Sequence, residues 1–208
     1  MSDQPGSSPL PDPAGDPRLG SEIEAGLDPA LAAAVLEIEA HVAGEGWDRP
    51  ARLYALVDTA AFVVAEPVLA SLMGLDEASA AGSLTPVEQD QLGSDERLED
   101  VLQTTAWPAE VAGCAAVVER LVLPPDADAQ IPDDPVAAEE FARDHPDRQE
   151  VRIVAGATRA GATYCALRLR AHDDDQSVVA GTDLVPQLLQ LLSATLEDST
   201  EEPPEEHE

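Results

Sequence analysis

Two alternating stretches, Gln149–Ala157 and Ala162–Ala171, constrain this chain more than any other feature. Val151, Ile153 and Ala155 share one face of the first, and Cys165, Leu167 and Leu169 share one face of the second, because strand side chains alternate with a period of two. A slip of one residue would turn either apolar set to the wrong side, so the two faces meet only if paired positions sum to an even number. The connecting loop must then be odd. Arg159-Ala160-Gly161 supplies three residues, with the glycine in the left-handed position. Residues 153 and 167 are thereby opposed, as are 151 and 169. On the other face the same register sets Arg152 against Arg168 and Glu150 against Arg170.

Two more strands are expected, at Arg52–Val57 and Val111–Leu123. The longer is apolar on both faces over most of its length, which places it centrally in a sheet. Helices have clear punctuation. Asp28-Pro29 gives an N-cap and an N1 proline, after which Leu31, Val35, Ile38 and Val42 recur at helical spacing until Gly44. A helical stretch from Thr59 to Leu72 must kink or split at Pro67. Thr85-Pro86-Val87-Glu88 fits a capping box, and Ser94 opens a helix carrying Leu98, Val101 and Leu102 that Trp107-Pro108 ends. Asp134-Pro135 starts a short helix closed by His145-Pro146. A last helix begins at Thr182 or Asp183 and aligns Val185, Leu188, Leu189, Leu192 and Leu196. Trp47 and Trp107 are expected to pack at the end of the sheet. The fold class is α+β: a mainly antiparallel sheet of about four strands with helices packed on it, ending in a β-hairpin and a C-terminal helix.

Residues 1–27 are rich in Pro, Gly, Ser and Asp, and residues 198–208 are similar and more acidic, so both read as disordered tails around one domain at 28–197. The formal net charge is −31, and the body keeps about −20 of it once the ends are set aside. A field of that sign repels nucleic-acid phosphates and anionic lipid headgroups, so neither nucleic acid nor a membrane surface is an expected partner. No apolar run approaches the roughly 18–20 residues that span a bilayer, and the first residues lack a basic start and apolar core of secretory type. A cytoplasmic location is expected. Cys114 and Cys165 lack zinc or redox spacing and read as small buried hydrophobes.

All eleven basic residues are arginine, and six of them, at 143, 148, 152, 159, 168 and 170, fall within 28 residues. Opposed Arg152 and Arg168 repel unless an anion lies between them. That anion can be internal, from Glu119, Glu150 or a helix carboxylate. It can also be an acidic peptide, an acidic protein or a small anionic ligand gripped by Arg152, Arg168 and Arg170, with Arg120 joining if its strand is adjacent. The acidic C-terminal tail could then compete for the same face. The tetrad His172-Asp173-Asp174-Asp175 is the other motif-like segment, and His172, Asp173 and Asp175 could ligate a divalent cation. Neighbouring residues seldom converge on one ion, however, and the spacing of a calcium loop is absent. With no lysine a phosphate loop of the Walker type cannot form, and neither a Gly-x-Gly-x-x-Gly nor a Gly-x-Ser-x-Gly motif occurs, so no cofactor is expected.

The segments Leu36 to Val42, Gly46-Trp47-Asp48-Arg49-Pro50, Trp107 to Cys114, His145 to Arg152 and Ala166 to Arg170 resemble an uncharacterised actinobacterial protein family over roughly residues 28–197. The resemblance implies a GC-rich actinobacterial source, in keeping with a chain that lacks both lysine and asparagine, and it transfers no site residue. Two function classes follow. One is a non-enzymatic binding or adaptor protein using the arginine-bearing face. The other is a divalent-metal-dependent enzyme built on the loop at 172–175.

Overall fold

Strand β3, Val111–Val122, is buried along most of its length and lies inside a sheet, because its alternate side chains must be covered on both sides. The computed structural model describes residues 27–76, 80–89, 92–93 and 96–197. Apart from Leu27, the stretches read as tails lie outside these residues, as does Ser94. In chain order the described elements are α1 (Pro29–Ala43), β1 (Arg52–Asp58), α2 (Thr59–Ala65), α3 (Pro67–Leu72), β2 (Leu84–Glu88), α4 (Leu98–Thr104), β3, α5 (Pro135–Asp144), β4 (Gln149–Thr158), β5 (Thr163–Leu169), β6 (Val179–Gly181) and α6 (Pro186–Thr195), with short 3₁₀ turns between them. No helix among the described residues is long and apolar enough to cross a membrane.

The sheet has six strands in the order β2-β1-β3-β4-β5-β6, every neighbouring pair antiparallel. About four were expected, and the two additional strands are its edges. Thr85-Pro86-Val87-Glu88 lies in edge strand β2, where a proline is tolerated on the unpaired side, and does not cap a helix. The Thr85 hydroxyl bonds the Thr59 hydroxyl at 2.9 Å instead of a backbone N–H. Strand β6 has three residues, too few for an alternating pattern to show.

The hairpin follows its parity. Val151 opposes Leu169, Arg152 opposes Arg168 and Ile153 opposes Leu167, and Gly161 turns the loop at φ +85°. Helix α1 starts on Asp28, whose Oδ1 accepts from the backbone N–H groups of Ala30 and Leu31. Pro67 does split its segment, into α2 and α3. Helix α6 begins at Pro186 itself, a few residues later than the sequence suggests, with the proline at N1.

Helices cover both faces of the sheet. On one, α1 lays Leu31, Val35, Ile38 and Val42 over Leu56, Ala115, Val117, Val154 and Ala166. The approach is close: a Cβ on Gly156 would lie 2.8 Å from a Val35 methyl, so β4 needs a glycine there. On the other face, α4 and α6 pack Leu98, Leu102, Leu189, Leu192 and Leu196 against Cys114, Ala116, Val118, Ile153, Ala155 and Cys165. Each large apolar side chain so buried contributes about 1.5–3 kcal/mol. Both cysteines are buried free thiols, and burial pushes the Cys114 thiol up to about 11, so neither has the character of a nucleophile.

Candidate functional site

The ladder register builds a row of charge across the α1 face. Glu119 on β3 pairs with Arg152 on β4, and Arg152 pairs with Arg168 on β5. This row is the end of the face where α1 and the connection after it replace apolar cover. Helix α1 brings Glu39, which lies on its buried stripe between Ile38 and Val42. Residues 44–49 then cross the row.

Arg168 is held by a fork from Glu39, with Nε donating to Oε1 at 2.6 Å and Nη2 to Oε2 at 2.8 Å. It also donates to Asp175 at 2.9 Å and to Asp173 at 3.4 Å. Arg152 donates through Nε and Nη2 to Glu119 Oε1 at 3.3 and 3.1 Å, and through Nη2 to the Gly46 carbonyl. Its guanidinium carbon lies 4.3 Å from the centre of the Trp47 ring, and that of Arg170 lies 5.6 Å away. Trp47 donates its Nε1 hydrogen to Asp173 at 2.9 Å.

Asp48 completes the crossing. Its backbone N–H bonds Glu119 at 2.8 Å, and its carboxylate takes a fork from Arg170 at 2.9 and 2.8 Å while Arg170 also pairs with Glu150. It adopts φ +63°, a left-handed conformation that aspartate tolerates better than most residues. The hydrogen bond from Arg170 holds the Asp48 carboxyl below its ordinary range. The guanidinium of Arg168 is in turn held more firmly protonated by the Glu39 hydrogen bonds. Arg52 repeats the device one step along β1, pairing with Glu45, whose carboxyl that hydrogen bond lowers.

Arg152 Nη1 is buried without a hydrogen-bond partner, but in charge the row is more than balanced. Arg152, Arg168 and Arg170 meet six carboxylates, those of Glu39, Asp48, Glu119, Glu150, Asp173 and Asp175. Arg152 is 2 % exposed and Arg168 is equally buried, so an outside anion would meet a covered surface there, and at the exposed Arg170 it would meet the carboxylates of Asp48 and Glu150. Arg120 does not join them. It follows Glu119 by one position and points to the opposite face, where it pairs with Glu99 on α4 at 2.6 Å.

The three residues considered as metal ligands are likewise not assembled. Asp173 and Asp175 both face Arg168, and Asp174 is turned onto the Gln176 backbone N–H and the Ser177 hydroxyl. His172 is exposed at the end of a 3₁₀ turn. Among the described residues no three His, Cys, Asp or Glu side chains come together as a metal set.

Arg159, in the hairpin loop, serves the backbone. It donates to the carbonyls of Val111 at 2.9 Å, Trp107 at 2.8 Å and Pro108 at 3.0 Å, and to Leu196 at the C-terminal end of α6. Trp107 packs beside it, with Nε1 on the Thr195 hydroxyl at 3.0 Å. Sequence reasoning missed Glu39, Trp47 and Asp48. The signal for Glu39 was available: a carboxylate four residues after Val35 falls on the helix's apolar stripe and needs a buried cation.

A family model for PPA1309-like protein matches residues 31–197, which takes in all but the first two residues of α1, the crossing loop, the whole sheet and α6. The chain belongs to the PPA1309-like family. No curated protein and no solved structure matches it. The match begins within α1 and ends just after α6, so the elements that make the arginine row all lie within the family region.

Proposed function

We propose that this PPA1309-like chain is a non-enzymatic binding protein whose partner is a basic, apolar-faced segment. Carboxylates of the chain already face Arg152, Arg168 and Arg170, which favours the internal of the two anions expected there and directs this reading to another surface. The observation that carries the reading is the ridge formed by α2 and α3. Within ten residues it turns Val64, Val68, Leu69, Leu72 and Met73 to solvent, with Val64 79 % and Leu72 80 % exposed. Helix α3 sends only Ala70 fully inward. Such a concentration of exposed large apolar groups is unusual for a surface with no occupant.

Charge selects the occupant. From Leu53 to Glu96 the chain has eight acidic residues and no basic one, which favours a cationic partner and disfavours a second copy bringing the same acidity. A lysine- or arginine-rich amphipathic helix satisfies both requirements, its apolar side lying on the ridge and its charges on the acidic surround. The arginine-only basic set supports a GC-rich source, in keeping with the actinobacterial family the chain resembles, and two free buried thiols support a cytoplasmic setting.

Fluorescence anisotropy with three labelled peptides of one length tests the binding reading: an amphipathic Leu/Lys helix, a Ser/Lys version and a Leu/Glu version. Saturable binding of the first alone, lost in Leu72→Asp, supports the ridge. Equal binding of the Leu/Lys and Ser/Lys peptides would reduce it to charge attraction. A dimer in light scattering that Leu72→Asp dissolves would assign the ridge to a second copy.

A further inference from the structure

We infer that a cleft between α1 and edge strand β2 binds one extended organic cation, an alkylguanidinium or alkylammonium group such as a single arginine or lysine side chain. The site is separate from the α2–α3 ridge and does not depend on it. The cleft measures about 210 Å³ and is lined by Glu37, Ile38, His41, Tyr54, Pro86 and Glu88. Sheet register explains the set, since Tyr54 on β1 opposes Glu88 on β2, and α1 lies over that face with Ile38 packed in the same core cluster as Tyr54.

Three features select a cation with an apolar stem. Tyr54 is only 4 % exposed, yet its hydroxyl has no hydrogen-bond partner. Arg52 is near enough to influence the phenol, but it forms no hydrogen bond of proper geometry with it, its Nη atoms facing Glu45 and Glu88. Even a closer Arg52 would leave the phenolic hydrogen without an acceptor, because a guanidinium only donates.

The second feature is the pair of exposed carboxylates. Glu37 has no ion pair among the described residues, and Glu88 has only a long one, 3.7 Å to Arg52. The third is the wall between them, made by Ile38 and Pro86. His41 is engaged with Glu45 at 3.2 Å, so it adds little to the ligand chemistry.

An anion would be repelled by both carboxylates, and a neutral apolar molecule would desolvate them and the hydroxyl without replacing the lost hydrogen bonds. A metal ion would find too few ligands. A guanidinium or ammonium head reaching Glu37 and Glu88, with its methylene stem against Ile38 and Pro86, meets each group with its complement. The phenol hydroxyl, which no carboxylate of the chain engages, can turn its oxygen toward the head.

Amide chemical-shift titration of the full chain with n-butylguanidinium and n-butylammonium, against butyrate and butanol, tests this. The expected result is saturable shifts confined to residues 37–41, 54 and 86–88 with the two cations alone. Glu37→Gln and Tyr54→Phe should each weaken binding roughly tenfold, the scale of one charge-assisted hydrogen bond. Glu37 is on an exposed helix face, so that variant reads out even if Tyr54→Phe disturbs folding. Shifts spread over every acidic surface, an affinity unchanged in Glu37→Gln, or no saturable shift at all would overturn the assignment.

Discussion

The arginine row and the α2–α3 ridge invert the usual partition of side chains in opposite ways. In the row, Arg152, Arg168 and Glu39 are inside, yet each guanidinium faces carboxylates and an aromatic ring lies by those of Arg152 and Arg170. In the ridge, apolar groups are outside and nothing among the described residues covers them. Desolvated charge is tolerable only when it is paired and hydrogen-bonded, so a network complete but for Arg152 Nη1 is what a structural role looks like. Exposed apolar surface has no such internal remedy. In the proposed reading the more conspicuous chemistry serves the fold, and the plainer surface is where a partner gains most by docking.

Removing one member of the buried fork has the largest expected effect. Arg168→Ala leaves Glu39 with its charge buried and unpaired, and should cost about 3–5 kcal/mol in denaturant unfolding. Replacing both residues with leucine should recover more than half of that loss, because Asp173 and Asp175 are exposed enough to return to water. If Arg168→Ala were as stable as the parent, the row would not be structural and an external anion would regain its claim on the face.

The ease of reading these regions from sequence differs for a physical reason. The hairpin register was legible to the residue because parity and an apolar face leave one solution, and it correctly opposed Arg152 to Arg168. The same parity argument excludes Arg120 once Glu119 is paired with Arg152, but it needs the strand neighbour, which sequence does not supply. Edge strands β2 and β6 were hidden because Thr85-Pro86-Val87-Glu88 satisfies a capping pattern equally well and Val179–Gly181 is too short to alternate visibly. The closing of the row was illegible for a similar reason. Glu39, Trp47 and Asp48 stand more than a hundred residues from the arginines they engage, and only the path of α1 over the sheet brings them together.

Trp47 offers a smaller perturbation of the same network. Trp47→Ala removes the ring under Arg152 and the donor to Asp173, and should cost about 2 kcal/mol by the scale of a desolvated cation–π contact. Trp47→Phe keeps a ring and should recover most of the loss in the denaturant midpoint. Equal losses in the two variants would place the contribution in the hydrogen bond to Asp173 instead.

Acid should loosen the crossing loop before it loosens the α4/α6 face. Asp48 is lowered by its hydrogen bonds from Arg170, and Glu45 by its hydrogen bond from Arg52. A carboxyl whose folded pKa is depressed adds stability that is complete above its unfolded value and is lost as pH falls through the folded one. Melting temperature should therefore decline below the ordinary carboxylate range near pH 4, and Asp48→Asn should make that decline shallower. A variant with the parent's pH slope would remove Asp48 from the account.

The smallest expected effect on stability is at the ridge, and it separates the two regions most cleanly. Val68 and Leu72 are exposed, so Val68→Asp and Leu72→Asp should each move unfolding free energy by no more than about 0.5 kcal/mol. The same substitutions should abolish binding of the cationic amphipathic peptide, since each places a desolvated carboxylate under its apolar side. A buried row would thus respond in stability alone, and an exposed ridge in binding alone. A large stability loss from Leu72→Asp would mean that the ridge is already covered in the free protein, and light scattering across a concentration series would show whether a second copy covers it.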